Sequence, residues 1–236
     1  MENKEDVEII PAILPQDYFE IEEGLERVLG KVSTVQIDVV DGIFVKDIKT
    51  WPYNSTGDAH YNSLLLEEES LPFFDQISFE IDLMVSEPLT VWQDWITVGA
   101  KRIIAHIEAI EDKDEFLRQA KEMNVPHDSF FHVETGVAID INTPNYQIAP
   151  LIPHIDFVQC MGIANIGKQG EPFDDRVVDK IKDLKKEFPN LIISVDGGVN
   201  DESAPKLLDA GVERLVSGSF IFNSDDVEEA IKILKG

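Results

Sequence analysis

The sequence predicts an α/β fold, a closed (β/α)8 or TIM barrel, on three observations. Apolar runs of strand length alternate eight times with helical patterns, which is the grammar of a parallel sheet wrapped by helices. No linker rich in Pro, Gly or Ser interrupts the series, so residues 1–236 are expected to form a single barrel domain. The length of 236 residues suits one such barrel. An open doubly wound sheet is the runner-up, but its nucleotide fingerprint is missing: no GxGxxG follows the first strand and no GxxxxGK[ST] appears anywhere.

In chain order, Val7 to Leu14 reads as the first strand and Asp17 to Leu29 as its helix, with Asp17 as cap. Ser33 to Val45 gives the second strand, which ends in acids, and Gln36 and Asp38 are two apart and so share a face. The aromatic, polar stretch from Asp47 to Tyr61 reads as a long loop, and Leu64 to Leu71 as a short helix. Ser78 to Val85 is the third strand, with Glu80, Asp82 and Met84 on one face, and Pro88 opens a helix that runs to Val98. Lys101 to Ala109 is the fourth strand with His106 near its end, followed by a charged helix from Asp112 to Met123. FFHV, Phe130 to Val133, reads either as a short extra strand or as loop; Gly136 to Asn142 is the fifth strand, and Thr143 and Pro144 open a brief helix. His154 to Met161 is the sixth strand, Gly162 to Phe173 a glycine-bearing loop, and Asp174 to Phe188 a long helix. The seventh strand ends in VDGGV and leads to a helix from Glu202 to Leu208; the eighth ends in SGS and leads to a helix from Phe220 to Leu234.

The last two strand ends carry the clearest chemistry. In each, an apolar run delivers small residues, Gly197 and Gly198 after Asp196, then Gly218 and Ser219, where free backbone N–H groups can face a ligand. Alone, the Gly197–Gly198 pair reads as well as a tight turn; the spacing of one helix between two such turns argues for a phosphate cradle. In a barrel the site lies at the carboxyl ends of the strands, which gathers Gln36, Asp38, Asp82, His106, Asp140 and Asp196 there. Three carboxylates converging with one amide would repel one another without a cation. That all-oxygen set, Gln36, Asp38, Asp82 and Asp196, suits magnesium or manganese better than zinc or iron. Periodicity equally allows these acids to point at solvent from separate loops.

Composition narrows the partners. Asp and Glu number 46 against 20 Lys and Arg, a formal charge of −26, which argues against nucleic acid and anionic membrane as partners. The single cysteine, Cys160, excludes an intrachain disulfide and sits in an apolar run that reads as packing. The acidic start lacks the features of a signal peptide and no apolar run approaches spanning length, so the expected address is cytoplasmic.

Together these motifs resemble the ribulose-phosphate 3-epimerase family of phosphate-binding (β/α)8 barrels. IPAIL (Ile10 to Leu14) resembles the family opening, with Ala12 at the usual serine. QIDVVDGIFV (Gln36 to Val45) resembles its H-x-D-x-M-D-G-x-F-V motif, and EIDLMV (Glu80 to Val85) its D-V-H-L-M-V. GVAIDINTP and MGIANIGKQGEPF resemble the motifs of strands five and six, the latter with its glycines in an altered order, and VDGGV and SGSFIF match best. The resemblance implies a phosphorylated ketose as substrate and a divalent metal held by two histidines and two aspartates, with the aspartates also serving as acid and base. Both aspartates are present as Asp38 and Asp196, whereas Gln36 and Asp82 stand at the two histidine positions. Around a divalent ion this set sums to a charge of about −1, so a changed substrate, a changed metal and an inactive site all stay open.

The implied reaction inverts one carbon through an enediolate, with Asp38 and Asp196 working from opposite faces. Phosphate is expected at Gly197, Gly198, Gly218 and Ser219 with help from Gly167; Lys168 would assist it or simply be solvated. His106 reads as a donor to an acid or substrate oxygen, or as a structural histidine; Met84 and Met161 line the pocket or pack in the core. A non-catalytic sugar-phosphate-binding barrel and a metal-dependent aldolase or decarboxylase are the alternatives. The family forms dimers or hexamers, so a homo-oligomer is allowed, although the charge opposes close association.

Overall fold

In the computed structural model, which describes residues 7–123 and 132–236, eight parallel strands close into a barrel in sequence order. They are β1 (Glu8–Ile13), β2 (Thr34–Val40), β3 (Ser78–Met84), β4 (Ala100–His106), β5 (Glu134–Ile139), β6 (Phe157–Met161), β7 (Ile192–Asp196) and β8 (Arg214–Ser217), with β8 pairing back onto β1. The helices are α1 (Tyr18–Val28), α2 (Ala59–Leu65), α3 (Pro88–Val98), α4 (Lys113–Met123), α5 (Arg176–Glu187), α6 (Ala204–Asp209), α7 (Ser219–Phe222) and α8 (Val227–Lys235).

Strands buried on both faces explain the apolar runs. One alternate set, such as Val35, Ile37 and Val39 of β2, packs outward in a continuous core with Ile21 and Leu25 of α1, Trp92 and Trp95 of α3 and Ile181 of α5. The other set faces the barrel axis, where apolar packing is confined to two small clusters, Ile10–Ala12–Val216 and Ile104–Ala138–Phe157–Met161. The rest of the interior is polar, and Thr34, Gln36, Asp38, Glu80, Asp82, His106, Gln159 and Ser194 are all buried.

Several boundaries differ from expectation. The short helix expected over Leu64 to Leu71 instead runs from Ala59 to Leu65, because Asp58 caps it by accepting from Tyr61 N and Glu67 at φ +57° ends it. The helix expected from Phe220 to Leu234 is two, α7 and α8, since Asp226 starts a new helix by accepting from Glu229 N at 3.0 Å. The second strand stops at Val40, where Asp41 accepts from Ile43 N and Phe44 N and turns the chain. The sixth strand begins at Phe157, with His154 in a preceding 3-10 turn. Phe130 and Phe131 of the proposed FFHV strand lie outside the described residues, and β5 begins at Glu134 rather than Gly136. The brief helix after Pro144 is a 3-10 turn, Asn145–Gln147.

The amino-terminal end of the barrel is floored by ions. Arg102 reaches Glu8 at 2.8 Å, Glu134 at 3.3 Å and Glu80 at 3.5 Å, while Arg214 reaches Glu134 at 2.7 Å and Glu8 at 3.5 Å. Thr34 Oγ1 donates to Glu8 at 2.6 Å, and the Arg214 guanidinium lies 4.7 Å from the centre of the Phe157 ring. Glu80 is fully buried, and that burial raises its pKa to about 7 against the pull of Arg102 and Arg214. The fold therefore prefers the neutral acid. Its contribution to stability is fully present below pH 4.5 and lost as pH rises through about 7. Glu80→Gln should thus gain up to about 3 kcal/mol on the wild type between pH 4.5 and pH 8, read by denaturant unfolding at both pH values.

Candidate active site

The carboxyl ends of the strands bring the predicted acids together. Asp38 of β2 is in register with Asp82 of β3, and one oxygen each from Asp38, Asp82 and Asp196 fall within 4.8 Å of one another. Gln36 joins two of them, its Nε2 donating to Asp38 Oδ1 at 2.7 Å and to Asp196 Oδ2 at 2.9 Å. The carboxylates therefore converge rather than pointing apart into solvent.

Asp82 is held from two sides. Gln159 Nε2 of β6 donates to its Oδ2 at 3.1 Å, and His106 Nε2 lies 3.2 Å from its Oδ1. Burial, then Asp196 and Asp82, raises Asp38 well above the ordinary carboxylate range; burial and Asp82 push Asp196 up to about 7. Three neighbouring acids outweigh burial at His106 and raise it to about 9, with Asp82 the strongest. Such a cluster calls for protons or a cation. The donor set fits a hard divalent ion, because three carboxylates converge there and Gln36 Oε1 is a buried oxygen without a hydrogen-bond partner.

A cavity opens above the acids. Asp38, Asp196, Met84 and Met161 line it from the strands, and Gly167, Lys168, Gly197, Gly198, Gly218 and Ser219 from the loops. Gln36, Asp82 and His106 are wholly buried and do not line it. His106 meets Asp82 instead, with the Phe44 ring centred 5.3 Å away.

Gly197 and Gly198 form a turn that precedes helix α6, whereas Gly218 and Ser219 open the short α7 as expected. Helix α6 begins only at Ala204 and α7 has four residues, so neither supplies a long helix dipole beside the cavity that Gly197, Gly198, Gly218 and Ser219 line. Gly198 has φ +70°, and a Cβ there would stand 2.7 Å from the Phe173 backbone; one on Gly218 would stand 2.9 Å from the Ala12 carbonyl. The exposed Lys168 is followed by Gln169, whose Nε2 donates to that same carbonyl at 3.2 Å.

Three contributors go beyond the residues singled out in the sequence. Gln159 sits two before Met161 on a buried strand, a polar residue on the inward face and therefore a readable signal. Thr50 gives no such sign, yet it accepts from Val40 N and donates to the Asp38 carbonyl at 2.9 Å, tying the long loop to β2. Asp41 takes Ser86 N and Oγ at 2.8 Å each and so joins the loops after β2 and β3; burial opposes its charge, but these donors hold it below the usual range. Cys160 is fully buried, which raises its thiol to about 12 and makes it packing rather than a nucleophile.

Comparison with known proteins decides the lineage: a family model described as the ribulose-phosphate 3 epimerase family matches residues 8–222. The chain belongs to this family. It is 30% identical over 236 residues to ribulose-phosphate 3-epimerase of Bacillus subtilis strain 168, covering 98% of this chain and 99% of that one. It is also 30% identical over 240 residues to the chloroplastic ribulose-5-phosphate-3-epimerase of Arabidopsis thaliana, covering 99% and 78%. Among solved structures it is similar to KGPDC from Streptococcus mutans, with TM-score 0.71, 13% identity and 97% and 95% of the chains covered. It is likewise similar to 3-hexulose-6-phosphate synthase from Salmonella typhimurium, with TM-score 0.63, 14% identity and 97% of each chain covered. At those identities the structural likeness speaks for the barrel fold alone. Among the described residues, no helix is long and apolar enough to cross a membrane.

The crowded turn makes Gly198 hard to replace. Gly198→Ala should lower stability by about 1–3 kcal/mol in thermal unfolding, because its backbone conformation and the Phe173 contact both oppose a Cβ.

Proposed function

We propose that this chain is a metal-dependent epimerase of a phosphorylated ketose, with Asp38 and Asp196 as its acid and base. The observation that carries the reading is that Asp38 and Asp196 converge in one cavity that the glycine turns also line. The family match and the barrel support a sugar-phosphate enzyme of the epimerase or isomerase kind.

The phosphate would rest on the backbone N–H groups of Gly198, Gly218 and Ser219, flanked by Gly167, Gly197 and the Lys168 ammonium, which directs the sugar chain toward the acids. One aspartate, ionised, takes the proton from the carbon beside the ketone and leaves an enediolate. The other, protonated, returns a proton to the opposite face and inverts that carbon. Gln36, Asp38, Asp82 and Asp196 would hold a divalent ion, magnesium or manganese in preference to zinc or iron, which supplies stabilisation of the negative charge on the enediolate oxygens. Gln159 and His106 act as positioning residues by fixing the Asp82 carboxylate. Met84 and Met161 give the cavity an apolar wall.

A second reading is favoured by one observation, the Gln36 amide that joins Asp38 and Asp196 where the family resemblance places a histidine. In that reading both histidine positions, now Gln36 and Asp82, have been given up, and the barrel binds sugar phosphate without turnover.

Proton NMR in D2O with ribulose 5-phosphate and related ketose phosphates, in the presence of magnesium or manganese, separates the two. Loss of the C3 proton with appearance of the epimer is expected, and chelation should stop it. Asp38→Asn and Asp196→Asn should each slow that exchange by about 10²–10⁴-fold while phosphate binding persists. Exchange that survives both substitutions would remove the assigned roles, and binding without exchange under every metal would establish the second reading.

A further inference from the structure

We propose that His106 Nδ1, Glu108 and Asp140 form a second divalent-cation site, distinct from the Asp38, Asp82 and Asp196 cluster. His106 ends β4, Glu108 lies in the 3-10 turn that follows (Ile107–Ala109), and Asp140 directly follows β5, the neighbouring strand. One ligand atom from each of the three lies within 4.8 Å of the others. The site does not depend on the epimerase reading.

The geometry points to an ion rather than to hydrogen bonding. The His106 ring is fully buried, and its Nδ1 stands 3.9 Å from Glu108 Oε2 and 3.8 Å from Asp140 Oδ1, too far for a hydrogen bond. Neither ring nitrogen of His106 meets hydrogen-bond geometry, and the buried Asp140 Oδ1 has no hydrogen-bond partner either. Leaving buried polar atoms unpaired is costly. With metal–ligand bonds of about 2.1 Å, two ligands of one ion stand up to about 4.2 Å apart, and both separations fall within that span. The neighbouring cation, Lys180, donates to the Thr143 carbonyl, and among the described residues it forms no ion pair with either acid. Solvent can deliver the ion, since the Glu108 and Asp140 side chains are 21% and 33% exposed.

The other ring nitrogen completes the pattern. With Nδ1 as ligand the imidazole carries its proton on Nε2, which lies 3.2 Å from Asp82 Oδ1. Metal-binding histidines commonly direct their second N–H at a carboxylate, which fixes the tautomer and raises ligand basicity. A neutral imidazole and two carboxylates balance the charge of a divalent ion. The mixed nitrogen and oxygen donors select a first-row transition ion such as zinc, in contrast to the all-oxygen cluster. One imidazole would then couple the two sites through Asp82.

The test is zinc binding to metal-stripped protein, with stoichiometry from equilibrium dialysis and elemental analysis, and ¹⁵N NMR of the histidine rings. Wild type should hold a zinc ion that Glu108→Gln and Asp140→Asn each lose and Asp38→Asn keeps. Zinc should shift His106 Nδ1 and leave Nε2 protonated. Both variants replace partly exposed acids with isosteric amides, and thermal unfolding confirms that they fold. An ion lost in Glu108→Gln and Asp140→Asn but kept in Asp38→Asn would support this site, whether or not the all-oxygen cluster also takes zinc. A single ion lost only in Asp38→Asn, no bound ion, or an unmoved Nδ1 resonance would overturn the proposal.

Discussion

Closure of the sheet by β8 on β1 is the constraint on which everything else in the molecule depends. It brings Gln36 within hydrogen-bond reach of Asp196, a residue 160 positions away, and turns eight separate strand ends into one rim. The loops can then be irregular, because the acids stand on strands whose register is fixed by neighbours on both sides. Asp38 opposite Asp82 and Met161 opposite Asp196 are consequences of backbone pairing, not of loop conformation.

The interior of this barrel is a column of charge with two different solutions at its ends. At the amino-terminal end three glutamates, Glu8, Glu80 and Glu134, share two guanidiniums, so the protein supplies its own counter-ions. At the other end Asp38, Asp82 and Asp196 converge while His106 stands among Asp82, Glu108 and Asp140, and the deficit of positive charge is left for protons or ligands. Gln159 braces the acid end from within the barrel, accepting from Ser194 at 3.4 Å while donating to Asp82. A fixed floor and an unbalanced mouth are the electrostatic difference between scaffold and site.

Most of the strands are legible because a parallel strand buried on both faces leaves a short apolar run, as in Ile9–Ile13 of β1 and Ile103–Ala105 of β4. The final helix reads as one in the sequence because its periodicity continues through Asn223 to Asp226, and only the cap at Asp226 divides it. At the site, the inward acids can be found by counting in twos, and so can Gln159. Thr50 cannot, since its role rests on where a twelve-residue excursion returns to β2. The pairing of His106 with Asp82 is legible only as an option, because a histidine at a strand end looks the same whether it faces a substrate or an acid.

The ionic floor also has a bearing on traffic. Arg102 and Arg214, with side chains only 13% and 8% exposed, bridge the starts of β1, β3 and β5. The amino-terminal end of the barrel is therefore shut by ion pairs, and a ligand held at the glycine turns comes and goes at the opposite end, where Gln169 rests on the Ala12 carbonyl at the cavity edge.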